Sequence, residues 1–208
     1  MEYSLKKSLG QHFLKDENVC KNIVAELQKD SFERLLEVGP GGGALTKYLL
    51  QIPSVDFTAV ELDSEKVVFL EKTFPAIRGR ILNENFLEIE PPFKEQFTVV
   101  GNFPYNISTQ ILFKVLEWKE QVPVVIGMFQ KEVAERAASK EGSKVYGVLS
   151  VLVQAFYDVN YLFDVDPSCF NPPPKVMSGV IRLTRRKVVP QMTSEKAFFN
   201  LVKTAFNQ

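Results

Sequence analysis

The chain has one histidine, His12, and two cysteines, Cys20 and Cys169, at opposite ends of its 208 residues. No Cys-x-x-Cys pair occurs, so neither a zinc cluster nor a redox dithiol is expected and no metal is assigned. Two thiols without a framework fit a reducing compartment better than a disulfide-stapled secreted scaffold. Long apolar runs are also missing. Segment 122–129 is interrupted by Pro123 and Gly127, and nothing approaches the roughly 20 residues that cross a bilayer. The N-terminal lysines are not followed by an apolar stretch, so no secretory leader and no membrane attachment are expected. The expected location is the cytoplasm. Net charge is zero but unevenly spread. Residues 175–208 hold seven Lys or Arg against Glu195 alone, a local charge of +6, which leaves −6 for the remainder. Such an end suits a polyanion, and a solvated basic face suits it equally well.

The chain does have a substantial apolar fraction, 45%, enough to build a core and exclude global disorder. After Asp16, a plausible N-cap, apolar residues recur at helical spacing over 16–28. Short buried strands at 34–38, 57–62, 80–82, 97–100 and 122–129 then alternate with helices at 44–50, 64–73, 107–118 and 131–139. That alternation implies parallel β-α-β units and a doubly wound sheet. The pattern changes after residue 140. A helix at 148–156 leads into two strands, 157–165 and 176–185, with no helix between them. They read as an antiparallel hairpin at the end of the sheet. Their connection carries Phe170-Asn-Pro-Pro-Pro174, whose prolines keep it off a central strand. Residues 193–208 form an amphipathic helix that reads as the start of a second, helical domain. The division expected is a catalytic domain at 1–187 and the beginning of another at 188–208.

Three clusters carry the chemistry. Gly39, Gly41 and Gly43 alternate at the turn after the first strand, where glycine permits a tight turn and lets a ligand approach the backbone. Glu61 follows Gly39 by 22 residues, the spacing at which an acid can hold ribose hydroxyls. The glycine loop lacks the Lys and Ser/Thr a nucleoside triphosphate needs, and NAD and S-adenosylmethionine both fit it. An ordinary glycine turn in a core β-α unit is the plain alternative. Asn85, just past the third strand, could bond an adenine amine or simply be solvated. Asn102-Phe-Pro-Tyr105 ends the fourth strand. There the Asn102 side-chain oxygen and a backbone carbonyl aimed by Pro104 can both accept from one amine, and Tyr105 can stack on the ring that bears it. Hydrogen bonds from both N–H groups of an adenine amine would localise its conjugated lone pair. The transfer then needs alignment more than a strong base. If the proline-rich loop folds over the same strand ends, Phe170 and Tyr105 could sandwich a flipped base, although a core position is the commoner fate of a phenylalanine. His12, beside Gly10 and Gln11, could cap the cofactor pocket or lie on the surface.

Five ordered segments together resemble the KsgA/Dim-type ribosomal RNA adenine dimethyltransferases. They are Leu9-Gly-Gln-His-Phe-Leu14, Glu37-Val-Gly-Pro-Gly41, Glu61-Leu-Asp63, Asn102-Phe-Pro-Tyr-Asn-Ile-Ser108 and Phe170-Asn-Pro-Pro-Pro-Lys-Val176. The resemblance implies a class I methyltransferase fold, with a Rossmann-like seven-stranded sheet and an antiparallel edge hairpin. It implies transfer of two methyl groups from S-adenosylmethionine to N6 of each of two adjacent adenines near the 3′ end of small-subunit rRNA. The partner would be the immature small ribosomal subunit, met by a monomer. By position it assigns His12, Leu14, Gly39, Gly41, Glu61, Asn85 and Asn102 to the cofactor. It assigns Asn102, Pro104, Tyr105 and Phe170 to the target base. Phe103 stands where the family usually has Leu, Asn85 where it usually has Asp, and His12 where Asn is common. The family continues beyond residue 208 with a small helical domain. A sister group, the Erm enzymes of large-subunit rRNA, is the nearest rival reading.

Overall fold

The computed structural model describes residues 12–206. The segment before His12, including Gly10 and Gln11, lies outside them. In chain order the elements are β1 (Phe13–Leu14), α1 (Glu17–Leu27), β2 (Arg34–Val38), α2 (Thr46–Leu49), β3 (Asp56–Val60), α3 (Ser64–Thr73), β4 (Ile81–Leu82) and β5 (Thr98–Asn102). Then come α4 (Ser108–Glu117), β6 (Val124–Gln130), α5 (Lys131–Ala138), α6 (Val148–Gln154), β7 (Tyr157–Val165), β8 (Phe170–Asn171), β9 (Ser178–Arg185) and α7 (Glu195–Phe206).

The main sheet has seven strands in the order β4-β3-β2-β5-β6-β9-β7. Its first five are parallel, and β9 runs antiparallel to both β6 and β7. β2, β5 and β6 are buried along almost their whole length, as expected of parallel strands covered on both faces. Side-chain alternation splits them between two cores. Leu36 and Val99 join Ile111 and Val115 of α4 and Leu152 of α6 in one cluster. Leu35 and Val100 join Ile23 of α1, Leu49 of α2 and Leu70 of α3 in the other. Helix starts follow local chemistry. Asp16 caps α1, its carboxylate accepting from the N–H groups of Asn18 (2.8 Å) and Val19 (3.2 Å). Asp63 caps α3 through the Glu65 N–H (3.1 Å).

The expected antiparallel hairpin stands at the end of the sheet, with β9 inserted between β6 and β7. The link between β7 and β9 holds a short strand, β8, which pairs antiparallel with β1 to form a separate two-stranded sheet. The basic end is partly neutralised. Arg182 pairs with Asp30, Arg185 with Glu120 and Arg186 with Asp158, while its four lysines make no ion pair among the described residues. α7, in the segment expected to begin a second domain, packs against α6. Val202 is buried, and Phe198 and Phe199 pack on the α6 side of the core, while Leu201 and Phe206 remain exposed.

Gly43 illustrates how tightly the glycine turn is built. Its φ is +81°, and a Cβ there would lie 2.3 Å from the Phe74 ring and 3.1 Å from Leu70. Gly43→Ala combines left-handed strain with overpacking, so it is expected to lower unfolding stability by at least about 2 kcal/mol. Urea denaturation measures this, and a loss within about 0.5 kcal/mol would contradict the packing described.

Candidate functional site

The carboxyl ends of β2, β3 and β5 converge where the strand order reverses, with β2 flanked by β3 on one side and β5 on the other. Open α/β sheets place ligands at such a switch point. A cavity of about 330 Å³ lies there, walled by β1, the glycine loop, the end of β3, residues 84–87 and residues 102–107.

The glycine loop forms its floor. Gly39 and Gly41 have φ of +68° and +57°, and the Gly39 N–H is anchored to the Val60 carbonyl (2.9 Å). Glu61, one residue past β3, is 6% exposed. Its two carboxylate oxygens accept from the N–H groups of Gly41 and Asp63, each at 3.0 Å. A carboxylate has about four acceptor directions, so two remain for the paired hydroxyls of a ribose. Leu62 follows it, more than half exposed, and with Phe86 and Leu87 gives the cavity an apolar wall suited to a purine face. Asn85 folds its side chain into its own loop, accepting from the Leu87 N–H (3.1 Å) and donating to Glu88 (2.7 Å). Its oxygen therefore offers an adenine amine only its second lone pair.

Glu37 was not among the expected site residues. It lines the cavity, is 1% exposed and accepts a hydrogen bond from the Thr46 hydroxyl (2.7 Å). Burial pushes its pKa up to about 8, with a further push from the nearby Glu61. Its carboxyl is mainly protonated at neutral pH. The sequence does carry a signal for it, a lone acid in an otherwise apolar strand immediately before the glycine turn.

Asn102, Phe103, Pro104 and Tyr105 leave β5 in an extended turn, with Pro104 at φ −57° and ψ 129°. The Asn102 amide nitrogen donates to the His12 carbonyl (3.4 Å). That fixes which way the amide faces, and among the described residues its oxygen has no protein donor. The Pro104 carbonyl is already taken by the Ile107 N–H (3.2 Å), and the Ser108 hydroxyl lies within reach of both the Tyr105 (3.0 Å) and Pro104 (3.2 Å) carbonyls. Among the described residues no donor reaches the Phe103 carbonyl, so it is the carbonyl of this turn free to serve as a second acceptor, its backbone restrained by the proline that follows. Tyr105 shares a hydrogen bond with the buried Ser178 hydroxyl at the start of β9, and burial raises its pKa. Its ring is therefore pinned at the far end and stays a neutral phenol.

β1 covers the opening. Leu14 is buried and lines the cavity, and Phe13 lies against Gly41 and Gly42. The His12 ring nitrogen Nδ1 meets the Pro172 carbonyl at 2.9 Å. Its ring stands 5.6 Å from that of Tyr105, tilted by 31°. A carbonyl only accepts, so Nδ1 carries the hydrogen.

Phe170 is elsewhere. It is 1% exposed and belongs to the apolar cluster of Leu14, Cys20 and Ile23. It does not line the cavity, and the expected sandwich with Tyr105 is not formed. Pairing of β8 with β1 turns this ring inward, where burial is worth about 2–3 kcal/mol. Standing in solvent with no base to stack on would forfeit that.

The arrangement can hold a nucleoside along the glycine loop and present a planar amine to the Asn102 and Phe103 oxygens. The whole chain is then informative in comparison. Residues 2–208 match the family model described as ribosomal RNA adenine dimethylase. The chain belongs to the ribosomal RNA adenine dimethylase family. Among similar dimethylase-family proteins, the ribosomal RNA small subunit methyltransferase A of Flavobacterium johnsoniae is 52% identical over 206 residues, covering 98% of this chain and 78% of that protein. That of Parabacteroides distasonis is 53% identical, covering 98% and 77%. Among solved structures, a dimethyladenosine transferase from Plasmodium falciparum superposes with a TM-score of 0.79 at 27% identity, over 95% of this chain and 71% of the other. The 23S rRNA methyltransferase ErmE does so at 0.78 and 27%, over 94% and 79%. The fold is thus that of class I methyltransferases, and the dimethylase is an S-adenosylmethionine-dependent enzyme whose bound cofactor supplies an electrophilic methyl group. The residues fit that cofactor: a shaped glycine floor, a pre-oriented Glu61 with spare acceptor capacity, and an apolar wall at Leu62.

Proposed function

We propose that this protein dimethylates N6 of two adjacent adenines near the 3′ end of small-subunit rRNA in the immature small ribosomal subunit, using S-adenosylmethionine. The supporting observation is the Asn102 side-chain oxygen, left without a protein donor among the described residues at the cavity wall, in a chain about half identical to small-subunit methyltransferases over nearly its full length. His12, Leu14, Gly39, Gly41 and Glu61 would cradle the cofactor. Asn102 and the backbone before Pro104 would hold the target amine, and Tyr105 would stack on its ring. Asn85 would reach the cofactor's adenine through its remaining lone pair. Phe170 would join the base only if the β1–β8 pairing shifts when RNA docks.

ErmE is as close in shape as the dimethyladenosine transferase, so the shape does not separate small- from large-subunit rRNA. Labelled S-adenosylmethionine incubated with immature small subunits, and separately with large-subunit RNA, separates them. N6,N6-dimethyladenosine in the small subunit alone is expected. Label confined to the large subunit, with macrolide resistance in cells expressing the protein, would overturn the assignment.

A further inference from the structure

Behind the Asn102–Tyr105 turn, two strands carry glycine at the same level. Gly101 of β5 pairs in register with Gly127 of β6. The ring that occupies the space above them is that of Phe103, 1% exposed. A Cβ on Gly127 would lie 2.0 Å from Phe103 Cε2, 2.7 Å from its Cδ2 and 2.8 Å from Phe129 Cε2. A Cβ on Gly101 would lie 2.8 Å and 3.0 Å from the other edge of the same ring and 2.6 Å from the Val38 carbonyl. The far side is closed by Phe129, whose ring centroid is 4.9 Å away. Gly127 is not needed for its backbone: it sits inside a regular strand and its φ is not in the left-handed region. Glycine costs a strand interior some stability, and here it makes room for a ring.

The same residue holds both ends of the reactive turn. The Phe103 N–H donates to the Met128 carbonyl (3.1 Å), its carbonyl is the second acceptor proposed for the amine, and its neighbours on either side are Asn102 and Pro104. A ring locked into a slot fixes that peptide from behind, as a peg fixes a plate. We infer that Phe103 is a positioning residue for methyl transfer and that Gly127 is its required counterpart, so that residues 103 and 127 act as one coupled pair. This rests on the reading of Asn102 and the Phe103 carbonyl as the acceptors of the target amine.

Gly127→Ala, Phe103→Leu and the double variant test it against the wild type. Three readings are taken from each: single-turnover methyl transfer at saturating S-adenosylmethionine, cofactor affinity by calorimetry, and melting temperature. A sub-ångström shift of the acceptors is expected to lower the transfer rate of Gly127→Ala by roughly tenfold or more, with cofactor affinity changed less than about threefold, because the glycine floor and Glu61 are not touched. Phe103→Leu, which leaves the slot half empty, also loses rate without losing affinity. In the Phe103→Leu background the two closest contacts of an alanine at 127 are gone and only the 2.8 Å approach to Phe129 Cε2 remains, so its penalty in rate and in melting temperature shrinks to a small part of that in the wild-type background. If Gly127→Ala fails to fold, the comparison of the double variant with Phe103→Leu alone still decides. Rates within about threefold of each other and similar melting temperatures support the coupling, and a tenfold or larger further loss of rate in the double variant overturns it. A Phe103→Leu protein with unchanged transfer rate overturns the positioning role. Absence of transfer to small subunits by the wild type would instead sink the substrate assignment, and the melting temperatures and affinities would still report on the pair.

Discussion

Asn102→Ala is expected to lower methyl transfer by at least about a hundredfold, the loss typical of removing one preorganised hydrogen-bond partner from a reacting group. S-adenosylmethionine affinity should fall only severalfold. The reasoning follows from what each end of the amide does. The nitrogen donates to the His12 carbonyl at 3.4 Å, a long bond of modest worth, whereas the oxygen is left with no protein donor in a cavity that can admit an amine. Alanine removes the acceptor and also unties β1 from the strand end, which accounts for the smaller effect on cofactor binding. Asn102→Asp separates the two contributions. It keeps an oxygen toward the amine and loses only the donor to His12, so it should retain far more transfer than alanine. Single-turnover assays with both variants, alongside calorimetric titration of the cofactor, check this. Equal rates for alanine and wild type would remove Asn102 from the chemistry. Equal losses for alanine and aspartate would mean that the His12 tether, not the acceptor, is what matters.

Much of this site was legible because its residues sit at places where local rules are strong. Buried parallel strands are short apolar runs, glycines mark the turn, and an acid follows at a fixed distance, so Gly39, Gly41, Glu61 and Asn102 stand out before any packing is known. What was not legible depends on contacts between distant segments. Nothing local in residues 178–185 says that β9 enters between β6 and β7. β1 and β8 are two residues each, too short for any periodicity. Seventeen phenylalanines look alike in sequence, and only packing shows Phe103 filling a slot beneath the turn and Phe170 buried beside Cys20. The pairing within the basic end was hidden for the same reason, because its three arginines find carboxylates in the turn after α1, on β7 and in the turn after α4. Phe103 in place of the usual Leu reads as a minor change to a wall until Gly127 is seen opposite it.

Glu37 leads to the second large effect, a coupling of cofactor binding to proton release. With its carboxyl raised to about 8 by burial, the protonated form dominates at pH 7. Glu61, one residue past β3, and Cys20 of α1 act on it electrostatically, and Lys66 of α3 and His12 line the same cavity. Unfolded, its pKa would return to the ordinary carboxylate value of 4.5. Between those two values the folded state binds more protons than the unfolded state, so the group lowers stability as pH rises from 4.5 toward 8 and adds nothing below that window. The ceiling on this loss is about 3 kcal/mol by pH 7. Glu37→Gln keeps an acceptor for the Thr46 hydroxyl and cannot ionise, so its unfolding free energy should gain on that of the wild type steadily across the window. A sulfonium or ammonium cation placed in the cavity favours the ionised carboxylate and pulls the pKa down. Binding S-adenosylmethionine at pH 7 is therefore expected to release a substantial fraction of a proton, seen as a calorimetric enthalpy that changes with the ionisation enthalpy of the buffer. The dependence should vanish in Glu37→Gln. A buffer-independent enthalpy in the wild type, together with parallel stability curves for the two proteins, would show that Glu37 is already ionised and that the cavity tolerates a buried negative charge.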